Sequence, residues 1–279
     1  MSICSSSDRF IHFAGNTICV SSTCPQVCRA IETHFAHCLG KTGSLLATYK
    51  ITAIDGSGVS VSVNSSDLLL NVSLAQALQF LMQDSLIRLN GASVTHLIFH
   101  AAALGYRERG VILCGKSGSG KSTLAAWFTA AGMQYLTDEV ISLPLDGEEI
   151  SGFCRSVILK QGSAFVWRNL AAGNNILHLD DGSAWVPPTL LNPAAVCASI
   201  TPRILLFPQY TAGAPLRVQR LTPAEALFQL MQCLVNARNF TDGGMSAAAR
   251  LARQVAVYSL TYSDIESAAQ WITRTVSNP

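Results

Sequence analysis

The sequence predicts an α/β fold with a mixed sheet, preceded by a small unit that is rich in β-strands. Three patterns support this prediction: a glycine-rich loop between an apolar strand and a helical segment, a tight strand hairpin just before that loop, and apolar–polar alternation within the first 90 residues. A chain of 279 residues, 49% of them apolar, can bury a large core. We predict an N-terminal α+β domain at residues 1–90 and a larger domain at residues 91–279.

Composition and charge exclude several classes of protein. Disordered chains combine low hydrophobicity with high charge, whereas only 13% of these residues are charged and the net charge is +2. This balance indicates no basic surface for nucleic acid. Mean hydropathy is +0.32, but apolar runs are too short or too interrupted to span a membrane, and residues 1–10 lack the pattern of a secretion signal. We expect a cytoplasmic protein that binds neither nucleic acid nor membrane and hides part of its apolar surface in a homo-oligomer.

The first 90 residues contain two strand patterns and two helical patterns. Apolar and polar residues alternate in Phe10–Val20 and in Ser44–Val63, which is typical of half-buried strands. Pro25–Leu39 is predicted to form a short helix. The apolar spacing of Leu68–Leu89 predicts a longer helix that leads into the second domain.

Nine cysteines are scattered over the chain, and their odd number indicates reduced thiols rather than a disulfide framework. Cys24 and Cys28 have a spacing found in zinc sites, and His34, His37 and Cys38 follow closely. However, neighbouring residues such as His37 and Cys38 point in different directions on a helix. We interpret this segment as a helix with half-buried cysteines and surface histidines; a structural metal site is the alternative.

A strand hairpin is predicted where the second domain begins. Apolar runs at His96–Leu104 and Val111–Cys114 are separated by a short polar turn. Strands joined so tightly are antiparallel, because parallel neighbours need a long crossover. If the turn centres between residues 107 and 108, the numbers of paired residues add up to about 215, which places His100 opposite Gly115.

Residues 115–123 read Gly-Lys-Ser-Gly-Ser-Gly-Lys-Ser-Thr and match the phosphate-binding motif G-x-x-x-x-G-K-[ST] between a strand and a helix over Thr123–Ala131. The glycines allow backbone N–H groups to converge on phosphate oxygens, and the helix dipole adds positive charge there. Lys121 is predicted to reach the outer phosphates, and the Ser122 hydroxyl is predicted to bind Mg²⁺. The predicted nucleotide-binding residues are Gly115, Lys116, Ser117, Gly118, Ser119, Gly120, Lys121, Ser122 and Thr123.

An acidic pair, Asp138 and Glu139, lies in the next predicted strand, Gln134–Leu143. One carboxylate could hold Mg²⁺, and the other could accept a proton from an attacking hydroxyl. The S-G-G-Q signature of ABC-type ATPases and the N-K-x-D signature of GTPases are absent from the sequence. These patterns together favour a kinase that transfers phosphate to a hydroxyl group.

From His100 through the loop to Asp138 and Glu139, the sequence resembles the catalytic domain of HPr serine kinase/phosphorylase, and more closely the smaller HPr-kinase-like proteins. The resemblance covers about residues 96–273 and includes segments 155–160 and 205–210. It implies a fold like the nucleotide domain of phosphoenolpyruvate carboxykinase, with ATP and Mg²⁺ as cofactors and a serine hydroxyl as the acceptor.

The resemblance also implies roles for individual residues. Asp138 would be the general base, and His100 would assist or orient it. Glu139 and Ser122 would bind the metal ion. Lys160 would replace the basic residue that stabilises charge on the transferring phosphoryl group, together with Lys121 on the loop.

The departures from the family limit what the resemblance implies. Glu139 stands where the family has Asp, and the signature of true HPr kinases is absent around residues 160–163. Arg155 is a weaker candidate than Lys160. We expect a substrate serine on a protein or a ribosomal peptide precursor, as in the phosphorylation of lasso peptides. A kinase for a small metabolite and a nucleotide-binding regulatory protein without turnover are the alternatives.

Three segments near the C-terminus have helical apolar spacing: Thr222–Ala237, Ser246–Val257 and Ser263–Val276. The first begins with Thr-Pro-Ala-Glu, which is typical of a helix N-terminus. We interpret the apolar stripes of all three segments as core contacts.

Overall fold

A computed structural model describes residues 7–54, 58–167 and 175–277. Within these ranges the protein is a mixed α/β structure, and its strands form three sheets. The first part of the chain contains strands β1 (Ser7–Phe13), β2 (Asn16–Ser22), β3 (Ser44–Ala53), β4 (Val59–Val63) and β5 (Ser66–Val72), and helices α1 (Pro25–His34) and α2 (Leu74–Gly91).

These five strands form one sheet in the order β1-β2-β3-β4-β5, in which β2 and β3 are parallel and the other neighbours are antiparallel. The predicted strands are present, and burial alternates along β3 and β4 as predicted, whereas β2 is buried on both faces. The predicted helix at Leu68–Leu89 is wrong over its first turn, because Ser66–Val72 pairs with β4 as a strand and leaves Leu70 exposed. Helix α2 begins only after Ser73, whose hydroxyl accepts a hydrogen bond from the N–H of Gln76 in a capping box.

The second part of the chain contains the larger sheet and the remaining helices. Its strands are β6 (His96–Tyr106), β7 (Arg109–Cys114), β8 (Gln134–Thr137), β9 (Val140–Pro144), β10 (Ile150–Gly152), β11 (Val157–Leu159), β12 (Leu177–His178), β13 (Ala184–Val186), β14 (Ser199–Ile200), β15 (Pro202–Tyr210), β16 (Arg217–Arg220) and β17 (Ala256–Tyr262). Its helices are α3 (Lys121–Ala130), α4 (Pro188–Leu191), α5 (Pro223–Met231), α6 (Met245–Gln254) and α7 (Ile265–Ser277).

The large sheet is mixed, as predicted. Its order is β14-β10-β9-β6-β7-β15-β17-β16, and β8 also pairs with β6. Strands β7, β15 and β17 are parallel, whereas the other neighbours are antiparallel. A smaller sheet has the order β11-β13-β12. Ligands in open α/β sheets bind at the carboxyl ends of parallel strands, so the ends of β7, β15 and β17 define the edge where a site is expected.

The hairpin of β6 and β7 has the predicted register. Ala101 pairs with Cys114 and Tyr106 pairs with Arg109, so the numbers of paired residues add up to 215. The two turn residues, Arg107 and Glu108, have φ values of +48° and +64°, as the twist of a two-residue hairpin requires. His100, one position beyond the last pair, therefore lies beside the start of the glycine-rich loop.

Two segments differ from the predicted elements in ways that affect the site. The predicted strand Gln134–Leu143 is broken into β8 and β9, and Asp138 and Glu139 form the break. The predicted helix Ser246–Val257 ends at Gln254, since the chain then turns into strand β17 parallel to β15. The alternation of apolar and polar residues in Tyr258–Tyr262 is the signal that indicates this strand.

The two parts of the chain share one hydrophobic core. Apolar residues of the five-stranded sheet, α1 and α2 pack with those of α3, α7 and one face of the large sheet, while α5 and α6 cover the other face. The ring of Phe13 lies 5.5 Å from that of Phe153. The domain boundary near residue 90 stays a prediction.

His34 is buried, contrary to the predicted surface position. Its side chain is hydrogen-bonded to the Ser156 hydroxyl and packs edge-on against Trp185. Within the described ranges, no three His, Cys, Asp or Glu side chains are grouped so that they could hold a metal ion. None of the helices in these ranges is long and apolar enough to cross a membrane.

The burial of His34 predicts a specific pH dependence of stability. Burial lowers its pKa from 6.5 to about 4. The unfolded chain therefore takes up this proton at a higher pH than the folded protein. The contribution of His34 to the free energy of unfolding is present above pH 6.5 and is lost as the pH drops towards 4. We expect this group to reduce the free energy of unfolding by about 2 kcal/mol between pH 7 and pH 5.

Urea unfolding of the wild type and of the His34→Asn variant at both pH values checks this prediction. Asn retains a hydrogen-bonding side chain but cannot titrate, so its loss of stability between pH 7 and pH 5 should be smaller by about the same amount. Equal losses in the two proteins would contradict the assignment to His34.

Candidate active site

A cavity of about 750 Å³ lies at the carboxyl ends of β7 and β17, between the glycine-rich loop, the break that separates β8 from β9, and the 3₁₀ segment Gln161–Val166. It brings together most of the predicted site residues: His100, Ser117, Gly118, Gly120, Lys121, Ser122, Thr123, Asp138, Glu139 and Lys160. Gly115, Lys116 and Ser119 instead line a neighbouring cavity of about 610 Å³, which shares His100, Ser117, Gly118 and Tyr210 with the first. The loop thus separates two cavities.

The loop joins β7 directly to the N-terminus of α3. Gly118 and Gly120 have φ values of +83° and +97°, which L-residues with side chains rarely adopt. The buried Lys121 begins the helix, and its ammonium group donates to the carbonyl oxygens of Gly115 at 2.7 Å and Lys116 at 3.1 Å. Burial lowers the pKa of Lys121. The first turn of α3 has unpaired N–H groups, so the cavity has positive potential at this end.

The first turn of α3 is also attached to the segment that carries Lys160. The Thr123 hydroxyl is hydrogen-bonded to the Ser163 hydroxyl at 2.6 Å, and the Ser163 N–H donates to the Lys160 carbonyl at 2.8 Å. Lys160 thus lines the cavity together with the loop, and its role stays a prediction.

The acidic pair is organised by Arg155, whose side chain is fully buried. Its Nη1 lies 3.0 Å from Oδ1 of Asp138, and its Nη2 lies 2.6 Å from Oε2 of Glu139. Burial alone would lower the pKa of Arg155, but the carboxylates of Asp138 and Glu139 outweigh this effect and raise it. One guanidinium thus holds both carboxylates, Glu139 by a charge-assisted hydrogen bond and Asp138 by an ion pair.

Asp138 keeps one oxygen free of protein partners. Its Oδ1 accepts a hydrogen bond from the Tyr135 hydroxyl at 2.8 Å and forms an ion pair with Arg155, whereas its Oδ2 is buried and has no hydrogen-bond partner in the described structure. A buried carboxylate oxygen without a partner is costly unless a ligand satisfies it. Oδ2 of Asp138 is therefore a candidate for contact with a cation or with a hydroxyl group.

His100 contacts Glu139 rather than Asp138, the residue that it was predicted to orient. Its Nδ1 lies 3.6 Å from Oε1 of Glu139, and its backbone N–H donates to the carbonyl oxygen of Cys233 at 2.8 Å. Burial lowers the pKa of His100, and the Glu139 carboxylate partly opposes this effect. A neutral imidazole next to a carboxylate can relay or position a proton near neutral pH.

Sequence reasoning gave too little weight to Arg155 and did not identify Tyr135, Tyr210 or Tyr262. Arg155 is the single charged residue in the apolar segment Phe153–Leu159, and such isolated charge is a signal for a paired buried group. The rings of Tyr210 and Tyr262, at the ends of β15 and β17, lie 5.8 Å apart and line the cavity with aromatic surface.

Comparisons with known proteins add little to this geometry. No protein-family model matches the sequence, and no curated protein matches it. Among solved structures, the HPr(Ser) kinase/phosphatase from Coxiella burnetii is similar over 65% of this chain and 99% of that chain, with a TM-score of 0.33 and 13% sequence identity. A similarity at this level supports no conclusion about function.

The contact between Gly120 and Tyr262 predicts the effect of a loop substitution. A Cβ atom at Gly120 would overlap the Tyr262 hydroxyl, in addition to the strain of the positive φ. We expect Gly120→Ala to lower the free energy of unfolding by about 2 to 4 kcal/mol, as measured by denaturant unfolding.

Two variants separate the two causes. Gly118 has a similar φ but open space around its Cβ position, so Gly118→Ala should cost only the backbone strain, about 1 to 2 kcal/mol. Adding Tyr262→Phe to Gly120→Ala should recover the steric part of the loss. If Gly118→Ala and Gly120→Ala were equally destabilising, the proposed overlap with Tyr262 would be wrong.

Proposed function

We propose that the protein is an ATP-dependent kinase that transfers the γ-phosphate to a serine hydroxyl of a protein or of a ribosomal peptide precursor. The observation that carries this proposal is the position of Asp138 and Glu139 on the wall of the cavity that also contains Lys121 and the N-terminus of α3. A phosphate-binding element and a fixed pair of carboxylates within one cavity are the parts that phosphoryl transfer to a hydroxyl requires.

The phosphate side of the site has the groups needed to bind a triphosphate. The glycine-rich loop and the first turn of α3 offer N–H groups, and Lys121 adds a positive charge that can turn from the loop carbonyls to phosphate oxygens. The apolar and aromatic wall formed by Tyr210, Tyr262 and Ile265 can accommodate a nucleobase.

The residues present also fit Mg²⁺. The Ser122 hydroxyl and the Glu139 carboxylate line the same cavity, and this cation prefers such oxygen ligands. When bound, Mg²⁺ would neutralise charge on the phosphates. Glu139 and Ser122 are the proposed ligands, in agreement with the sequence-based assignment.

In the proposed transfer step, Asp138 is the general base. The serine oxygen forms a bond to the γ-phosphorus while the bond to the bridging β–γ oxygen breaks, and ADP leaves. The serine proton passes to Oδ2 of Asp138, since Oδ1 already accepts a hydrogen bond from Tyr135 and is paired with the Arg155 guanidinium. Lys121 and Lys160 stabilise charge on the transferring group, and His100 positions Glu139.

The acceptor class rests on the sequence resemblance over residues 96–273. We also propose a cytoplasmic location, because the apolar runs are short and the cysteines are interpreted as reduced thiols, and self-association, because the composition is rich in apolar residues. A small hydroxylated metabolite remains the other class of acceptor for the same chemistry.

Substitutions of Lys121 and Asp138 separate binding from transfer. We expect Lys121→Ala to weaken ATP binding at least about tenfold, because a buried charge contact to the phosphates is lost. Asp138→Asn should bind ATP normally but transfer phosphate about 100-fold more slowly, because the amide cannot accept the proton. Calorimetry with ATP and Mg²⁺ measures binding. To measure transfer, serine-containing peptides encoded beside the gene are incubated with the protein and labelled ATP and are then analysed by mass spectrometry.

Lys50→Ala, which removes an exposed lysine of β3, is the matched charge control and should leave both quantities unchanged. Normal transfer by Asp138→Asn would remove the assignment of the base. Absence of ATP binding by the wild type would reject the proposed function.

His100→Ala tests the role of the histidine. We expect a reduction in transfer of about tenfold with an unchanged free energy of unfolding, because His100 is half-exposed and contacts Glu139 only at the edge of the cavity. Steady-state kinetics and denaturant unfolding of this variant provide the measurement. Transfer at the wild-type rate would assign His100 to the structure alone.

A further inference from the structure

The end of helix α1 contacts the back of the segment that carries Arg155. The imidazole Nδ1 of His34 lies 2.9 Å from the Ser156 hydroxyl, and the His34 carbonyl accepts a hydrogen bond of 2.9 Å from the Ser156 N–H. Two hydrogen bonds thus join a residue of the N-terminal part to the residue that follows Arg155. Both His34 and Ser156 are buried.

Aromatic contacts reinforce this junction. The ring of Phe153 lies 5.5 Å from that of Phe13 and 6.2 Å from that of Phe35. The ring of His34 lies 5.5 Å from that of Trp185 on strand β13, which pairs with β11 immediately after Ser156. Residues from β1 and α1 therefore hold segment Phe153–Ser156 on the side away from the cavity.

On its other side the same segment holds the acidic pair. The Thr137 hydroxyl donates to the Phe153 carbonyl at 3.0 Å, and the Tyr135 hydroxyl reaches both the Arg155 carbonyl at 3.2 Å and Asp138. The Arg155 guanidinium also donates to the Ser156 carbonyl. A displacement of Ser156 would therefore move Arg155, and with it the two carboxylates.

We propose that the N-terminal part of the chain positions the acidic pair, and that His34 is a positioning residue that acts through Ser156 and Arg155. The expected effect on turnover rests on the proposed kinase function. The contact network from His34 to the acidic pair does not depend on that function. His34 touches no part of the cavity, so its role is to keep the carboxylates aligned rather than to take part in the reaction.

The proposal distinguishes His34 from a residue that only stabilises the fold. Misaligned carboxylates would slow transfer while the phosphate loop still binds ATP. The break at Asp138 and Glu139 would also open more often, because its restraint from Arg155 is weaker. A general loss of stability would instead raise hydrogen exchange throughout the chain.

The experiment compares His34→Ala with His37→Ala, an exposed histidine three residues further along that serves as the matched control. In His34→Ala we expect faster amide hydrogen exchange at residues 138–140 and 153–156 by about five- to tenfold, which corresponds to the loss of one hydrogen bond. Exchange in β7 and β15 should not change. The kcat for phosphate transfer should fall by a similar factor while the KM for ATP stays within about twofold.

Two further variants keep the test decisive. His34→Asn offers a hydrogen-bonding atom near the position of Nδ1 and should restore at least half of the protection from exchange. Ser156→Ala removes the hydroxyl partner of His34 Nδ1 and costs only one oxygen atom. If His34→Ala does not fold, Ser156→Ala should show the same increase in hydrogen exchange and the same fall in kcat.

The proposal would be overturned if His34→Ala and His37→Ala had the same hydrogen exchange and the same kcat. It would also be overturned if His34→Ala raised exchange uniformly along the chain. If the wild type transferred no phosphate, the proposed function would fail while the exchange measurement still decided whether His34 positions the acidic pair.

Discussion

Two carboxylates side by side in a largely buried break between strands require a positive charge, and Arg155 supplies it. Without the guanidinium, the carboxylates of Asp138 and Glu139 would repel each other in a region of low dielectric. With it, ion pairs of 3.0 Å and 2.6 Å hold the two carboxylates at fixed positions. Removal of a single partner from such a buried cluster is strongly destabilising, by about 3 to 5 kcal/mol, because the remaining charges are left uncompensated. The geometry of the candidate site therefore depends on this one side chain.

The mixed sheet brings the other half of the site to the same place. The hairpin turns the chain so that β7 ends at Gly115 beside His100, and the parallel strands β15 and β17 bring Tyr210 and Tyr262 to the same edge. Strand β6 pairs with β7 on one side and with β8 and β9 on the other, so it sets the distance between the loop and the acidic break. Under the proposed function, this strand is the rigid spacer between the phosphates and the base.

The sequence alone predicts the local features of this arrangement and misses the distant ones. The hairpin register, the glycine-rich loop and the acidic pair each depend on a few neighbouring residues, so short patterns reveal them. The break at Asp138, the partner of the acidic pair and the burial of His34 depend on contacts between distant segments. His34 and Ser156 are 122 residues apart in the sequence, and no spacing rule connects them. Strand β17 alternates only in its second half, Tyr258–Tyr262, and it lies between two helical segments, so its first residues continue the helical pattern that precedes them.

The charge balance of the cluster indicates how ATP and Mg²⁺ would bind under the proposed function. Arg155 cancels one of the two carboxylate charges, so one negative charge remains, and Lys121 provides one positive charge on the loop. A triphosphate adds several negative charges beside the remaining carboxylate charge, and their repulsion in a partly enclosed cavity would oppose binding. Glu139 and Ser122 would hold a divalent cation, whose charge would offset this repulsion. Under the proposed function, the acidic pair would therefore disfavour free ATP and favour its Mg²⁺ complex, and this would couple binding of the nucleotide to the presence of the metal ion.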